Sequence, residues 1–262
     1  MGNKNVVFIG AGNVATHLSK AMKEAGLCIR QIYSRGEDNA KKLAGVLDCS
    51  YTTDIQKVLQ NADIYVFSIK DDAFPEIIAN MPTRRGFWIH TAGSVSIDIF
   101  QKYADSYGVI YPMQTLSKSR KMNFSKIPLF VEGNTSDVEN EIFNIASTLS
   151  DNVTRISSEK RKYLHLAAVF ACNFSNHMYT LASLILDKQE IDWHILQPLI
   201  DETAGKLYSM SPQNAQTGPA IRYDRNIIDR HLTMIDDEDM RKLYEMISES
   251  IAKAELLSEN TD

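Results

Sequence analysis

The stretch VVFIGAGNVATHLSKAMKEAG sets Gly10, Gly12 and Ala15 where an apolar run passes into a helical pattern. Small residues at this spacing suit the binding of a diphosphate. The first lets the chain bend at a strand end, and the second lets backbone amides approach phosphate oxygens. The third lets the helix pack close to the strand, where Ala still fits with the helix set back slightly. Asn13 and Val14 complete the helix start, whose unpaired N–H groups and partial positive charge would face the anion. The pattern is common alone, but here it follows a strand, opens a helix and begins an alternating β/α series, the setting of a dinucleotide site. A packing turn without ligand is the bland alternative.

The second strand ends in IYSRGED. About 20 residues past the glycines, an NAD site commonly carries Asp or Glu for the ribose hydroxyls. Ser34 and Arg35 stand there instead, a hydroxyl and a planar cation suited to a 2′-phosphate that a carboxylate would repel. NADP(H) is therefore the expected cofactor. Glu37 and Asp38 read as the start of the next helix, although a shifted loop could bring Glu37 to the ribose. Arg35 as a solvated surface residue stays open.

Ligands of open α/β sheets gather beyond the carboxyl ends of the strands. The segments FSIKDD and WIHTAGS end two strands, so Ser68 to Asp71, with Ser68 and Lys70 foremost, could border the cofactor, and His90, Thr91 and Ser94 could approach the nicotinamide. Thr91 and Ser94 could equally cap the next helix, and His90 could be a hydrogen-bonded core residue. Further on, residues of an ideal helix advance about 100° each, so His165, Cys172 and Asn176 project within about 40° of one another, with Asn173 nearby. Leu164, Ala167, Ala171, Phe174, Met178, Leu181 and Ile185 fall on a broad arc elsewhere, as in a helix packed into a core. His165 is the acid–base candidate of this polar-edged face, because imidazole titrates near neutrality; a structural histidine is the alternative. In TGPAIRYDRNIIDRHL, Arg222 could grip a substrate carboxylate with Asp224 orienting it, or the two could form a loop ion pair. The run SKSRKMNFSK reads as a solvated basic loop that could guide an anionic substrate.

The elements that must position these residues follow from the hydrophobic pattern. NVVFIG, IRQIYS, ADIYVFSI, GFWIHTAG and GVIYPM read as strands with helical patterns between most of them, and IPLFVEG and NVTRIS add two more around a helix at 136–149. This alternation predicts an α/β fold, a Rossmann-like, doubly wound and mostly parallel sheet. The strands stop near residue 156. EKRKYLHLAAVFACNFSNHMYTLASLILDKQ, DWHILQPLIDETAGKLYSM and DDEDMRKLYEMISESIAKAELLSE then read as helices. We therefore expect a nucleotide-binding domain at 1–156 and an all-α substrate and dimerisation domain at 157–262. At 262 residues, 44% hydrophobic and 23% charged, the chain can bury two modest cores. A formal net charge of −5 speaks against nucleic acid as a partner. Cys28, Cys49 and Cys172 lie far apart, without the spacing of a zinc cluster or a disulfide framework. No metal site, no membrane partner and a cytoplasmic location are expected.

Taken together, FIGAGNVATHL, IYSR, HTAGS, YPMQTLS, HLAAVFACNFSNH and TGPAIRYD resemble a bacterial family that joins a Rossmann-like NADP-binding domain to an uncharacterised helical domain and is labelled NADP oxidoreductase. The N-terminal half also resembles pyrroline-5-carboxylate reductases and deazaflavin-dependent NADP oxidoreductases. The resemblance implies kinship with the β-hydroxyacid dehydrogenases, a C-terminal domain like that of 6-phosphogluconate dehydrogenase, an active site between domains and a homodimer. Those dehydrogenases carry a lysine four residues before an asparagine; aligned on Asn173 it would be Val169, so the usual proton relay is missing. The expected activity is hydride transfer from NADP(H) to a small anionic carbonyl or imino compound, with His165, Asn173, Ser94 and Arg222 as catalytic candidates. The alternative is a non-catalytic NADP(H)-binding regulator or scaffold.

Overall fold

A computed structural model describes residues 4–83 and 85–259, with side chains as far as Glu255. The chain forms two compact units, Met1–Asn173 and Phe174–Asp262.

The first unit is built on one eight-stranded sheet of order β3-β2-β1-β4-β5-β6-β7-β8. Its strands are β1 (Asn5–Ile9), β2 (Cys28–Tyr33), β3 (Ser50–Thr52), β4 (Ile64–Phe67), β5 (Phe87–His90), β6 (Ser106–Pro112), β7 (Leu129–Gly133) and β8 (Val153–Arg155). Every pairing is parallel except β6 with β7. The sheet is thus the mostly parallel, Rossmann-like one that the alternation predicts. It differs in one addition, the three-residue edge strand β3, whose Ser50 and Tyr51 are exposed.

Central strands buried on both faces explain the near-continuous apolar runs. Val6 to Ile9, Ile64 to Phe67 and Trp88 to His90 are all buried. On one face Val6, Phe8, Ile64, Val66 and Ile89 pack with Ala15, Leu18 and Met22 of α1 (Asn13–Glu24), and with residues of α2 (Glu37–Leu47) and α4 (Ser136–Ser147). The other face is rich in aromatic side chains. Tyr65, Phe67, Trp88 and Phe100 pack with Phe74 and Ile77 of α3 (Phe74–Ala79), and the rings of Phe67 and Trp88 lie 5.0 Å apart. The strand order turns back beside β1: the chain runs outward through β2 and β3, then crosses to β4 on the other side. A crevice opens at that switch point, between the ends of β1 and β4.

The segment read from sequence as one long helix is continuous but not uniform. α5 (Ser158–Ala168) passes into π-helical turns at Val169–Phe174 and then into α6 (Ser175–Asp187). The sequence division at 156/157 separates strands from helices, yet the first compact unit extends to Asn173, because α5 is tied to the sheet. Arg161, fully buried, donates from Nη1 to Glu132 Oε2 of β7 at 2.7 Å and from Nη2 to the Val95 carbonyl and to Ser158 Oγ.

The second unit contains α6, α7 (Gln197–Lys206), α8 (Pro212–Ala215), α9 (Arg225–Met234) and α10 (Glu238–Glu259). Met178, Leu181 and Ile185 of α6 face Leu243, Ile247 and Ile251 of α10 across an apolar cavity of about 340 Å³. The core packing expected of the whole apolar arc is not met, since Phe174 and Ile185 are 49% and 47% exposed. No helix among the described residues is long and apolar enough to cross a membrane.

Candidate functional site

The site begins where β1 ends. Gly10 has φ +116°, a conformation that L side chains rarely adopt, and a β-carbon there would lie 2.2 Å from the Ser68 carbonyl oxygen. Its N–H donates to the Tyr33 carbonyl at 2.7 Å, so the turn is fastened to β2 while it crosses the end of β4. Gly12 differs: a β-carbon there would meet no atom within 4 Å. Gly10 is required by the fold, whereas Gly12 leaves room in front of the helix. Asn13, Val14 and the fully buried Ala15 form the first turn of α1, which contains no acidic residue to neutralise its N-terminal amides.

These glycines line a cavity of about 350 Å³ at the switch point, together with Ala11, Tyr33, Ser34, Arg35, Ser68 and Lys70. Gly36, Asn39 and Lys118 complete its far side. Among the described residues that line it, none is acidic. Glu37 takes no part; its Oε1 accepts from the Tyr51 hydroxyl at 3.2 Å, and with Asp38 it forms the acidic first turn of α2. An open glycine, a bare helix N-terminus and three cations without a carboxylate are the environment that a dinucleotide bearing an additional phosphate requires, so the residues fit NADP(H). Burial raises the Tyr33 hydroxyl pKa, and the nearby Arg35 charge partly opposes the shift.

Thr91 does not line this cavity. It is buried and donates from Oγ1 to Ser68 Oγ at 3.1 Å, standing behind a lining residue. Ser94 does not cap a helix; its hydroxyl bonds to Asp71 Oδ2, and Ser96 caps the following 3₁₀ turn. His90 is a core residue. It is fully buried, edge-on to Phe74, with Nδ1 accepting from Ala92 N at 3.2 Å and Nε2 without a partner. Burial, reinforced by the charge of Arg161, pushes its pKa down to about 3.

From Thr91 the strand-end loop leads to a second constellation. Gly93 has no room for a β-carbon, which would lie 2.7 Å from both Cγ and Nδ1 of His165. The half-buried imidazole rests in that gap, and its Nδ1 pairs with the buried Tyr111 hydroxyl at 3.0 Å, with the rings edge to face. Tyr111 is the penultimate residue of β6, and burial raises its pKa, opposed by the Arg161 charge. Arg161 lies one helical turn before His165, so its grip on Glu132 and Val95 fixes where the imidazole projects. The Arg161 pKa is lowered by burial but sustained by Glu132. Sequence reasoning singled out His165 but not Tyr111, Gly93 or the Arg161–Glu132 clamp; HTAGS and YPMQT contained two of these without showing what they meet.

Of the remaining candidates, Cys172 is near enough to Tyr111 to act on its hydroxyl electrostatically. Cys172, Asn173 and Asn176 are exposed. A π segment accommodates about one extra residue, so the angular phase between His165 and the residues after Val169 differs from that of an ideal helix. Arg222 is exposed on the turn before α9. Asp224 does not orient it; the carboxylate caps α9 by accepting from Ile227 N at 3.3 Å.

Comparison with known proteins bears on this arrangement. Residues 5–92 match the family model described as "NADP oxidoreductase coenzyme F420-dependent", and residues 127–251 match a "Domain of unknown function (DUF2520)". No curated protein matches the chain. A Bacteroides fragilis protein whose structure is described as a "putative NADP oxidoreductase" is 46% identical over 96% of this chain and 98% of its own, with a TM-score of 0.93. The 1-pyrroline-5-carboxylate reductase of Streptococcus pyogenes (14% identity, 95% and 98% covered, TM-score 0.61) and the imine reductase of Myxococcus stipitatus (13%, 98% and 94%, TM-score 0.65) share the fold. On that near full-length identity, the chain belongs to the NADP oxidoreductase family in which an NADP oxidoreductase domain is followed by a DUF2520 domain.

Proposed function

We propose that the protein is an NADPH-dependent reductase of a small anionic carbonyl or imino compound. In this scheme residues 1–156 hold the nucleotide, and residues 157–262 serve the substrate and join two copies. The observation that carries the reading is the unbroken path along the strand ends from the cationic cavity through Ser68, Thr91 and Gly93 to the His165–Tyr111 pair. The NADP⁺ complex of the fold-related imine reductase is consistent with it.

Gly10, Gly12 and the amides of Asn13, Val14 and Ala15 would cradle the diphosphate. Ser34 and Arg35 would take the 2′-phosphate, and Ser68 and Lys70 would flank the nicotinamide side, with Thr91 holding the Ser68 hydroxyl from behind. When bound, NADPH supplies the hydride. The chain's own part is to orient the acceptor and deliver a proton. A protonated imidazole donates from Nδ1 to the phenol oxygen and still does so once its Nε2 proton has left, because the neutral ring then keeps the Nδ1–H, so Tyr111 can hold the His165 ring in place before and after proton release from Nε2. Ser94, paired with Asp71, is a second hydroxyl, on the loop that follows β5. Arg222 offers an exposed guanidinium to a carboxylate, and Asn173 an exposed amide. The exposed Tyr163 and Leu166 of α5 support a role for this helix in self-association.

The test is NADPH consumption by purified protein across a panel of small keto acids and cyclic imino acids, with calorimetry of NADPH in parallel. One panel member is expected to turn over. Both His165→Ala and Gly93→Ala, the latter forcing the ring aside, should cut kcat by about 100-fold or more while NADPH affinity is kept. Binding without turnover of any compound would favour the regulatory alternative, and absence of binding would overturn the assignment.

A further inference from the structure

We infer that Lys118, on the loop between β6 and β7, is a third ligand of the adenosine 2′-phosphate and a determinant of NADP over NAD selectivity. The inference rests on the proposed NADP(H) reading and extends it to a residue far from the second strand. Lys118 lines the same cavity as Ser34, Arg35, Gly36 and Asn39. Its ammonium donates to Asn39 Oδ1 at 2.7 Å, which positions the charge over the first turns of α2 beside Arg35. An ammonium has three donors, and this bond uses one.

The loop is secured on both sides of the lysine. Leu116 and Met122 pack against the core, and the Ser117 carbonyl pairs with Nε2 of His17, a buried residue of α1, at 2.9 Å. Arg120 N closes a turn onto the same carbonyl at 3.2 Å. With Arg120 and Lys121 following, the loop carries only positive charge between Ser117 and Met122. A helix that also supplies the diphosphate turn thereby holds a basic loop against the ribose end of the cavity. The chemistry that matches two adjacent cations, a hydroxyl and no carboxylate is a phosphomonoester dianion on a nucleotide.

The experiment is calorimetry with adenosine 2′,5′-bisphosphate and adenosine 5′-diphosphate, which need no turnover, followed by NADPH and NADH. Wild type should prefer the 2′-phosphorylated ligand. Lys118→Ala should weaken that ligand roughly tenfold, with adenosine 5′-diphosphate changed by less than about twofold, and Lys118→Arg should restore most of the preference. Asn39→Ala, which keeps the charge but removes its anchor, should give a smaller loss in the same direction. An unchanged ratio of the two affinities in Lys118→Ala, or an equal loss for both ligands, overturns the role of Lys118 while leaving Arg35 and Ser34 untouched. Wild type without preference for the 2′-phosphate would instead overturn the NADP reading itself.

Discussion

Replacing His90 by Asn should flatten the acid limb of the stability curve. In the folded state the imidazole is fully buried between Phe74 and Phe100, and its Nδ1 accepts from Ala92 N, so the proton of the neutral ring sits on the unpartnered Nε2. Charging it would strip a cation of water in the core and, to a smaller extent, set it near the charge of Arg161, which is why the pKa falls from 6.5 to about 3. Above pH 6.5 both folded and unfolded chains keep this residue neutral and it adds no pH dependence. Below 6.5 the unfolded chain takes up a proton that the folded chain refuses, so stability falls with decreasing pH until the folded pKa is reached. By linkage the loss between pH 7.5 and 5 is about 2 kcal/mol from this residue alone. Asn keeps an acceptor for Ala92 N but cannot titrate; its lost ring contacts lower stability at every pH and leave the slope unaffected. Urea unfolding, followed through Trp88 in a Trp193→Phe background, should show the two curves converging by about 2 kcal/mol between pH 7.5 and 5. Parallel curves would refute the assignment of the acid sensitivity to a buried neutral His90.

The two glycines of the turn should separate stability from binding. Gly10→Ala, with its β-carbon driven into the Ser68 carbonyl at positive φ, should cost at least about 2 kcal/mol and abolish NADPH binding. Gly12→Ala should melt close to wild type yet lose NADPH in calorimetry, because its methyl meets nothing but the space reserved for phosphate. Arg161→Met should destabilise the first unit by roughly 3 to 5 kcal/mol in urea unfolding, since Glu132 would be left without its buried partner.

What the sequence revealed divides along a physical line. The glycine turn, the Ser34–Arg35 pair and the mostly parallel sheet are local matters of backbone freedom, spacing and apolar runs, and they are legible residue by residue. β3 escaped because a three-residue edge strand with two exposed residues has no hydrophobic alternation to detect. Tyr111 with His165 and Lys118 with Asn39 are pairs made by the fold, and no spacing rule connects their positions in the chain. The angles assigned to His165, Cys172 and Asn176 assume a constant rotation per residue, whereas the chain between them passes through π turns that rotate less, a departure no spacing in the sequence announces. Asp224 was read as a partner of Arg222 when its nearest obligation was to the unpaired amides of the helix it starts.

The missing β-carbon at Gly93 makes two distant positions behave as one in sequence space. Any side chain at 93 evicts the imidazole, whereas a small residue at 165 would let 93 enlarge without clash. Effects on folding at the two sites are therefore epistatic: a library scored for folded protein that randomises position 93 alone would call it intolerant, where a paired library would recover folded combinations that lack the imidazole. An engineer seeking to reshape this end of the molecule has to treat glycine and histidine as a single steric unit, and must supply another proton donor when the pair is replaced.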